Sequence, residues 1–371
     1  MPACRMPTRG TRSEGVGLPA AAASPPSQSP AAGEVVPFVG MGRVDPFVGA
    51  ERARQAAWKR STATLPDAAR VAAPYLGRET GPSDRTYEFC LPPQYATLSL
   101  LPEVRADALA LFAELGIPWH ASVGGGPSNH LLDSQVQCVN ALGQMVADPT
   151  RIEAVFGSRL GVGQVLEVEP GRFLTFEYIG PSDVFGESPG RKRTRGSKCT
   201  SVDAAFLHRH VDGFVELVLI EWKYTESYRP HQPDPRGDET RRRRYAPFLT
   251  AADSPVDHER LAFGDFLDEP LYQLMRQQLL AHELEKTQVL GAERVRVVHV
   301  LPKANLPYQR SLTRPSQLAL GAAVSEVWSL LLRQPDRFMP LDSTIFLDPT
   351  VTSAEYVARY GPAPSTDEPK P

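Results

Sequence analysis

The sequence predicts an α/β protein with one mixed sheet, whose core elements follow the order helix, three strands, helix, strand. Two β-rich runs, 200–211 and 214–223, flank Asp212-Gly213, a dipeptide typical of a tight hairpin turn. A helical segment precedes these runs, and a second one separates them from a last apolar run at 295–301. Strands and helices in this order indicate a sheet covered by helices.

The first core element is a helix predicted over 128–147. Ser128 or Asn129 would cap its first turn, and Asp148-Pro149 would end it. The remaining core elements are predicted, in order, as strands over 172–179, 200–211 and 214–223, a helix over 270–286 and a strand over 295–301.

The core carries additions on both sides. The first 34 residues contain few large apolar side chains, so we expect them to be disordered. The predicted organisation is a disordered lead at 1–34, a helical and irregular addition at 35–127 with helices near 50–61 and 102–115, a core at 128–301 with an insertion at 229–267, a helical extension at 302–360 with a helix at 316–333, and a polar tail at 361–371.

Composition excludes several classes of protein. The net charge of the 371 residues is −3, so any attraction to nucleic acid must come from local basic patches. The cysteines, Cys4, Cys90, Cys138 and Cys199, lack the spacing of a zinc site or a disulfide framework. No apolar run approaches the length of about 20 residues that a membrane helix needs. We expect a cytoplasmic protein without membrane contact.

The candidate site lies on the two hairpin strands. Because side chains alternate along a strand, Glu221 and Lys223 should share one face, and the hairpin should bring Asp203 to their level. Two carboxylates and an ammonium would then converge on a group able to hold Mg²⁺ and activate a water molecule. The structural alternative is a strand end that carries a solvated ion pair. A central strand buried on both faces argues against it, because buried charge needs a partner or a function.

Two longer motifs contain these residues, Thr200-Ser201-Val202-Asp203-Ala204 and Ile220-Glu221-Trp222-Lys223-Tyr224-Thr225-Glu226. This stretch resembles the PD-(D/E)XK nuclease superfamily, which has the restriction-endonuclease-like fold. It is most similar to an uncharacterised bacterial group with these two motifs, and further similar segments lie at 127–130, 134–140 and 272–278.

The resemblance implies a role for each residue. Asp203 matches the lone acid of the superfamily motif, Glu221 its second acid and Lys223 its lysine. Val202 stands where the superfamily name has proline, a loss that is common among members. The implied function is a Mg²⁺-dependent endonuclease, with Mn²⁺ expected to substitute, that cleaves phosphodiester bonds in nucleic acid, expected to be DNA. Asp203 and Glu221 would bind the metal, and Lys223 would position the attacking water. A homodimer is compatible with this function.

The alternative from another class is a nucleic-acid-binding module that kept the fold and lost catalysis. The intact set of two acids and a lysine argues against it. A third interpretation is a globular protein in which the charged strand end is only structural.

Further polar residues are weaker candidates. Glu177 would add a carboxylate if it faced the side of Asp203, although an outward position is more common on a strand. The other candidates are Glu226, Gln135 on the first helix, and Gln273 with Gln277, which share a helical face on the helix at 270–286. Two basic runs are candidates for phosphate contacts, with solvated loops as the simpler alternative: Arg191, Lys192, Arg193, Arg195 and Lys198, and Arg241, Arg242, Arg243 and Arg244.

Overall fold

A computed structural model of the protein describes residues 44–77, 85–188, 190, 192–228, 232 and 234–362. Within these residues the main sheet has six strands: β3 (Val162–Leu166), β4 (Leu174–Tyr178), β5 (Val202–His210), β6 (Val215–Trp222), β7 (Arg294–Leu301) and β8 (Phe338–Asp342). A separate two-stranded ladder joins β1 (Ala73–Pro74) to β2 (Thr86–Tyr87).

The α-helices surround this sheet. They are α1 (Pro46–Ser61), α2 (Pro102–Leu115), α3 (Ser134–Leu142), α4 (Pro149–Leu160), α5 (Pro235–Leu249), α6 (Leu271–Lys286), α7 (Leu306–Gln309), α8 (Pro315–Leu318), α9 (Val324–Leu331) and α10 (Ala354–Tyr360).

The sheet is mixed. Its strand order is β3-β5-β6-β7-β8. β4 pairs with the first half of β5 and β3 with the second half, both on the side of β5 opposite β6. β5 is antiparallel to β3, β4 and β6, whereas β6, β7 and β8 are parallel. The parallel pair β6 and β7 requires a crossover connection, which α5 and α6 supply.

Each face of the sheet packs against one hydrophobic cluster. Ala204 and Ile220 belong to the cluster that includes residues of α3 and α4. Their chain neighbours Ala205 and Leu219 belong to the cluster that includes residues of α6 and α9. This alternation follows from the period of two along a strand, and it makes β5 and β6 central strands that are buried on both faces.

The predicted α/β class and core order are confirmed, as α3, β4, β5, β6, α6 and β7. The predicted start of the first core helix at Ser128 or Asn129 is wrong. The Asp133 side chain caps α3 by accepting a hydrogen bond from Val136 N, and Asn129 instead donates to the carbonyl oxygens of Pro74 and Leu91. Asp148 caps α4, a helix that the prediction missed.

The C-terminal prediction also needs correction. The single helix expected over 316–333 is two helices, α8 and α9, separated by residues 319–323. The prediction missed β3 and β8 because both are short strands in which few positions are buried. The predicted disordered lead and most of the polar tail lie outside the described residues. Across the described ranges, no helix is long and apolar enough to cross a membrane.

Candidate active site

Three carboxylates lie side by side on three neighbouring strands. The register pairs Ala204 with both Phe176 and Ile220, so the adjacent positions bring Glu177, Asp203 and Glu221 into one row. All three line a cavity of about 460 Å³, here called the carboxylate cavity. The hairpin therefore brings Asp203 to the level of Glu221, in the geometry that the sequence predicts.

Asp203 is held by the backbone of the next strand. Its Oδ2 accepts a hydrogen bond of 2.6 Å from Trp222 N. Burial raises the pKa of Asp203 well above its usual range, and the charges of Glu221 and Glu177 raise it further. The other two carboxylates thus lie close enough to Asp203 to affect its ionisation.

Glu221 and Lys223 form a buried ion pair. Their exposed fractions are 1% and 6%, and Lys223 Nζ lies 2.5 Å from Glu221 Oε1. Burial alone would lower the pKa of Lys223, but Glu221 and the other acidic neighbours together outweigh burial and keep that pKa well above its usual range. Lys223 is therefore a fixed cation beside the carboxylates.

Two glutamines of α6 form hydrogen bonds with this ion pair. Gln273 Oε1 accepts a hydrogen bond of 2.8 Å from Lys223 Nζ. One turn later, Gln277 Nε2 donates to Glu221 Oε2. Residues four apart share a helical face, and both side chains reach the same strand end. The two predicted glutamines thus each contact one member of the predicted triad.

Glu177 lies opposite Asp203 and has an unusual backbone conformation. Its φ of 46° lies in the left-handed region, which costs energy for a residue other than glycine. Its Oε1 accepts a hydrogen bond of 3.0 Å from Gln135 Nε2, and its Oε2 accepts one of 2.9 Å from Ser201 Oγ. Burial raises the pKa of Glu177, although both hydrogen bonds oppose the shift. Gly196 packs so closely that a Cβ atom there would lie 2.9 Å from Glu177 Cδ.

Glu226 occupies a different position. It lies in the turn after β6, where its Oε2 accepts a hydrogen bond of 2.6 Å from Tyr224 N. Its negative charge contributes to the raised pKa of Lys223. Glu226 acts on the triad through this charge and lines a second cavity.

Some residues of the two basic runs line the carboxylate cavity, and others make structural contacts. Lys198 and Arg244 line the carboxylate cavity. Arg193 donates to the carbonyl oxygens of Ile179 and Gly180, and Arg195 pairs with Glu169, so both brace the chain around β4. Arg241 forms an ion pair with Asp238, and Arg242 lies over the Phe263 ring. Lys192 and Arg243 are exposed, and Arg191 lies outside the described residues.

Arg276 is a cavity residue that the sequence analysis did not single out. It lies on α6, and its guanidinium carbon is 4.9 Å from the ring centroid of Tyr272. Its buried Nε has no hydrogen-bond partner among the described residues. Burial would lower the pKa of Arg276, but Tyr245, Tyr272 and acidic neighbours raise it. The spacing of three from Gln273 was the signal in the sequence, because it puts both side chains on one helical face.

The donor chemistry of the carboxylate cavity fits a hard divalent cation. Its acidic side chains supply oxygen atoms, and a cation would oppose both burial and the neighbouring negative charges, which together raise the pKa of Asp203. Within the described part of the chain, no three His, Cys, Asp or Glu side chains form a ready-made metal cluster. Mg²⁺ does not require one, because it binds through one or two carboxylates together with water and substrate phosphate.

Comparison with known proteins gives one match. The family described as restriction endonuclease associating with ARP matches residues 52–361, a range that includes the whole site. No curated protein and no solved structure matches the chain.

Proposed function

Since the chain belongs to the family described as restriction endonuclease associating with ARP, we propose that it is a metal-dependent endonuclease that hydrolyses phosphodiester bonds in DNA. The observation that carries the proposal is the convergence of Asp203 and Glu221 from two neighbouring strands into one polar cavity, with Lys223 paired to Glu221. ARP, which the family description names, is the first partner to test.

Asp203 and Glu221 are the proposed ligands of Mg²⁺, with Mn²⁺ as a substitute. With these two residues as ligands, a divalent cation would supply a more acidic water and stabilisation of the charge that develops on the phosphodiester. Trp222 N fixes the Asp203 carboxylate, and Gln277 fixes that of Glu221. These contacts support a preorganised pair of ligands, since each carboxylate keeps one orientation.

Lys223 is the proposed positioning group for the attacking water. Glu221 and Gln273 hold its ammonium in place, and its raised pKa keeps it protonated at neutral pH. A protonated lysine can donate hydrogen bonds to the water and to a phosphate oxygen but cannot act as a base. The water's proton would therefore leave to a group other than Lys223, namely a cavity carboxylate such as Glu177, a phosphate oxygen or solvent.

The cations of the cavity rim are proposed to bind substrate phosphates. Lys198, Arg244 and Arg276 line the same cavity as the carboxylates. A guanidinium can bind two phosphate oxygens at once, and the buried Nε of Arg276 makes no other hydrogen bond within the described ranges. These residues would hold the strand without reading its sequence.

The proposal is tested by incubating the wild-type protein with plasmid, single-stranded DNA and RNA, in Mg²⁺, Mn²⁺ or EDTA. We expect cleavage of at least one DNA substrate with either metal and none in EDTA. Cleavage that persists in EDTA would refute the metal-dependent mechanism. Binding at low salt without cleavage under any condition would favour the inactive nucleic-acid-binding module.

A further inference from the structure

A fourth carboxylate, that of Glu187, lines the carboxylate cavity and has no role in the proposed chemistry. Glu187 lies in the loop between β4 and β5. The side chain of Asp183 fixes this loop, because it accepts hydrogen bonds of 2.8 Å from Glu187 N and from Ser188 N. The backbone that carries the Glu187 carboxylate is therefore held in place.

The Glu187 carboxylate joins two elements that carry residues of the site. Its Oε2 accepts a hydrogen bond from Thr200 N, and its Oε1 accepts one of 2.8 Å from Thr200 Oγ1, just before β5 and Asp203. The same Oε1 accepts a hydrogen bond from Tyr245 Oη on α5. A carboxylate has about four acceptor positions, and three are used here. Glu187 is thus suited to hold the two elements together rather than to bind a metal.

The residues that precede Glu187 also contact α5. The rings of Phe185 and Tyr245 meet edge to face, with centroids 5.4 Å apart. Arg244 Nη2 donates a long hydrogen bond of 3.5 Å to the carbonyl oxygen of Gly186. Three consecutive loop residues therefore contact two consecutive residues of α5.

These contacts fix the rotation of α5 about its axis. Tyr245 is 1% exposed, and burial raises the pKa of its hydroxyl group, which therefore stays protonated and donates to Glu187. Successive side chains of an α-helix differ in direction by about 100°, so the position of Tyr245 decides where Arg244 points. Arg244 lines the carboxylate cavity and pairs with no acid among the described residues. Its charge is available to a phosphate.

We propose that Glu187 and Tyr245 are positioning residues that hold Arg244 against a phosphate of the substrate strand. The inference rests on the proposed nuclease function and identifies how the phosphate-binding side of the site is fixed relative to its metal-binding side. One carboxylate is bonded both to the segment that leads into Asp203 and to the helix that carries Arg244. This bridge sets the separation between the two sides.

Tyr245→Phe tests the inference, because it removes the hydroxyl group and keeps the ring that packs on Phe185 and Tyr272. Fluorescence anisotropy in EDTA measures the binding of a labelled oligodeoxynucleotide, single-stranded or duplex, over a range of salt concentrations. For the form that the wild type binds more tightly, we expect about fivefold weaker binding at about 0.1 M salt. The slope of log affinity against log salt should fall by about one, as it does when one phosphate contact is lost.

A double-mutant cycle with Arg244→Gln separates positioning from stability. Arg244→Gln should produce the same two changes, and the double variant should bind no more weakly than either single variant, because Tyr245 acts through Arg244. Additive losses of affinity would overturn the inference. Weaker binding by Tyr245→Phe with an unchanged salt slope would overturn it as well, because the hydroxyl group would then affect only the fold.

Glu187→Gln provides a second variant with opposing expectations. Removing a negative charge from the cavity would by itself strengthen DNA binding, whereas loss of positioning would weaken it. We expect weaker binding, and tighter or unchanged binding by the folded variant would contradict the positioning role. Tyr360→Phe is the matched control, since Tyr360 Oη is also buried, accepts a hydrogen bond of 3.1 Å from Asn140 Nδ2 and belongs to a residue that lines a different cavity. It should bind DNA like the wild type.

Failure of the proposed function has a different signature. Salt-sensitive binding with non-additive losses for Tyr245 and Arg244, without metal-dependent cleavage, would support the positioning role and refute the nuclease. Metal-dependent cleavage with additive losses would leave the nuclease in place and overturn the positioning role. Absence of salt-sensitive DNA binding by the wild type would also overturn the positioning role.

Discussion

Replacing Lys223 with methionine should destabilise the protein strongly, independently of catalysis. Methionine keeps a long apolar side chain but removes the ammonium, which lies 2.5 Å from Glu221 Oε1. Glu221 is 1% exposed, so water would compensate only partly for the lost cation. Removing one partner of a buried ion pair typically costs about 3–5 kcal/mol. Because Gln277 still donates to the carboxylate, we expect the lower end, about 3 kcal/mol.

Urea unfolding in EDTA at neutral pH measures this free energy. Lys286→Met is the matched control, because Lys286 lies on α6, is 45% exposed and pairs with Asp253 and Glu283 at the surface. It should lower the free energy of unfolding by at most about 1 kcal/mol. Adding Glu221→Gln to Lys223→Met should restore stability, because it removes the unpaired buried charge. A loss below about 1 kcal/mol for Lys223→Met would refute a buried ion pair.

The contribution of Lys223 to the free energy of unfolding should depend on pH. The folded-state pKa of Lys223 is raised, so its charge stabilises the fold below the unfolded pKa of about 10.4. That contribution is lost as the pH rises from there through the folded pKa. The difference in stability between wild type and Lys223→Met should therefore persist from neutral pH to about pH 10 and shrink above it.

Three further predictions follow from single side chains. Asp203→Asn should raise the melting temperature of the metal-free protein. The pKa of Asp203 is raised in the folded state, so its ionisation above about pH 3.9 costs folding free energy. An unchanged or lower melting temperature in EDTA at neutral pH would contradict this. Arg276→Gln should reduce the slope of log affinity against log salt by about one in DNA-binding titrations, and an unchanged slope would exclude a phosphate contact. Arg359→Leu should lower the free energy of unfolding in urea by about 3 kcal/mol. Buried Arg359 donates hydrogen bonds to Gln55 Oε1 and to the carbonyl oxygens of Ser99 and Leu131, and the variant leaves these acceptors without their donor. A loss below about 1 kcal/mol would show that the acceptors find other donors.

Local rules were enough to predict the centre of the fold. The Asp212-Gly213 turn fixes the pairing of β5 with β6, and the pairing fixes which positions oppose Asp203. The spacing of four between Gln273 and Gln277 likewise gives one helical face. These features depend on residues that are close in sequence or joined by one tight turn.

Other parts of the site depend on contacts that local patterns do not contain. The Glu177 carboxylate is held by hydrogen bonds to Gln135 and Ser201, which come from distant segments, and its positive φ has no local sequence signal. All residues of the two basic runs that were predicted to contact phosphate are lysine or arginine, so the sequence does not separate those that line the cavity from those that stabilise the fold. That difference depends on contacts with distant residues, such as the hydrogen bond from Arg193 to the Ile179 carbonyl and the ion pair of Arg195 with Glu169.

The most direct test of the proposed centre compares Asp203→Asn with Asp212→Asn in single-turnover cleavage of labelled DNA across a Mg²⁺ titration. Asp203 and Asp212 lie near opposite ends of the same strand pair, so the second variant controls for loss of one acid. We predict that wild type and Asp212→Asn cleave at rates that saturate with Mg²⁺, and that Asp203→Asn is slower by about 10³-fold or more while remaining folded. Equal rates for folded Asp203→Asn and wild type would contradict the assignment.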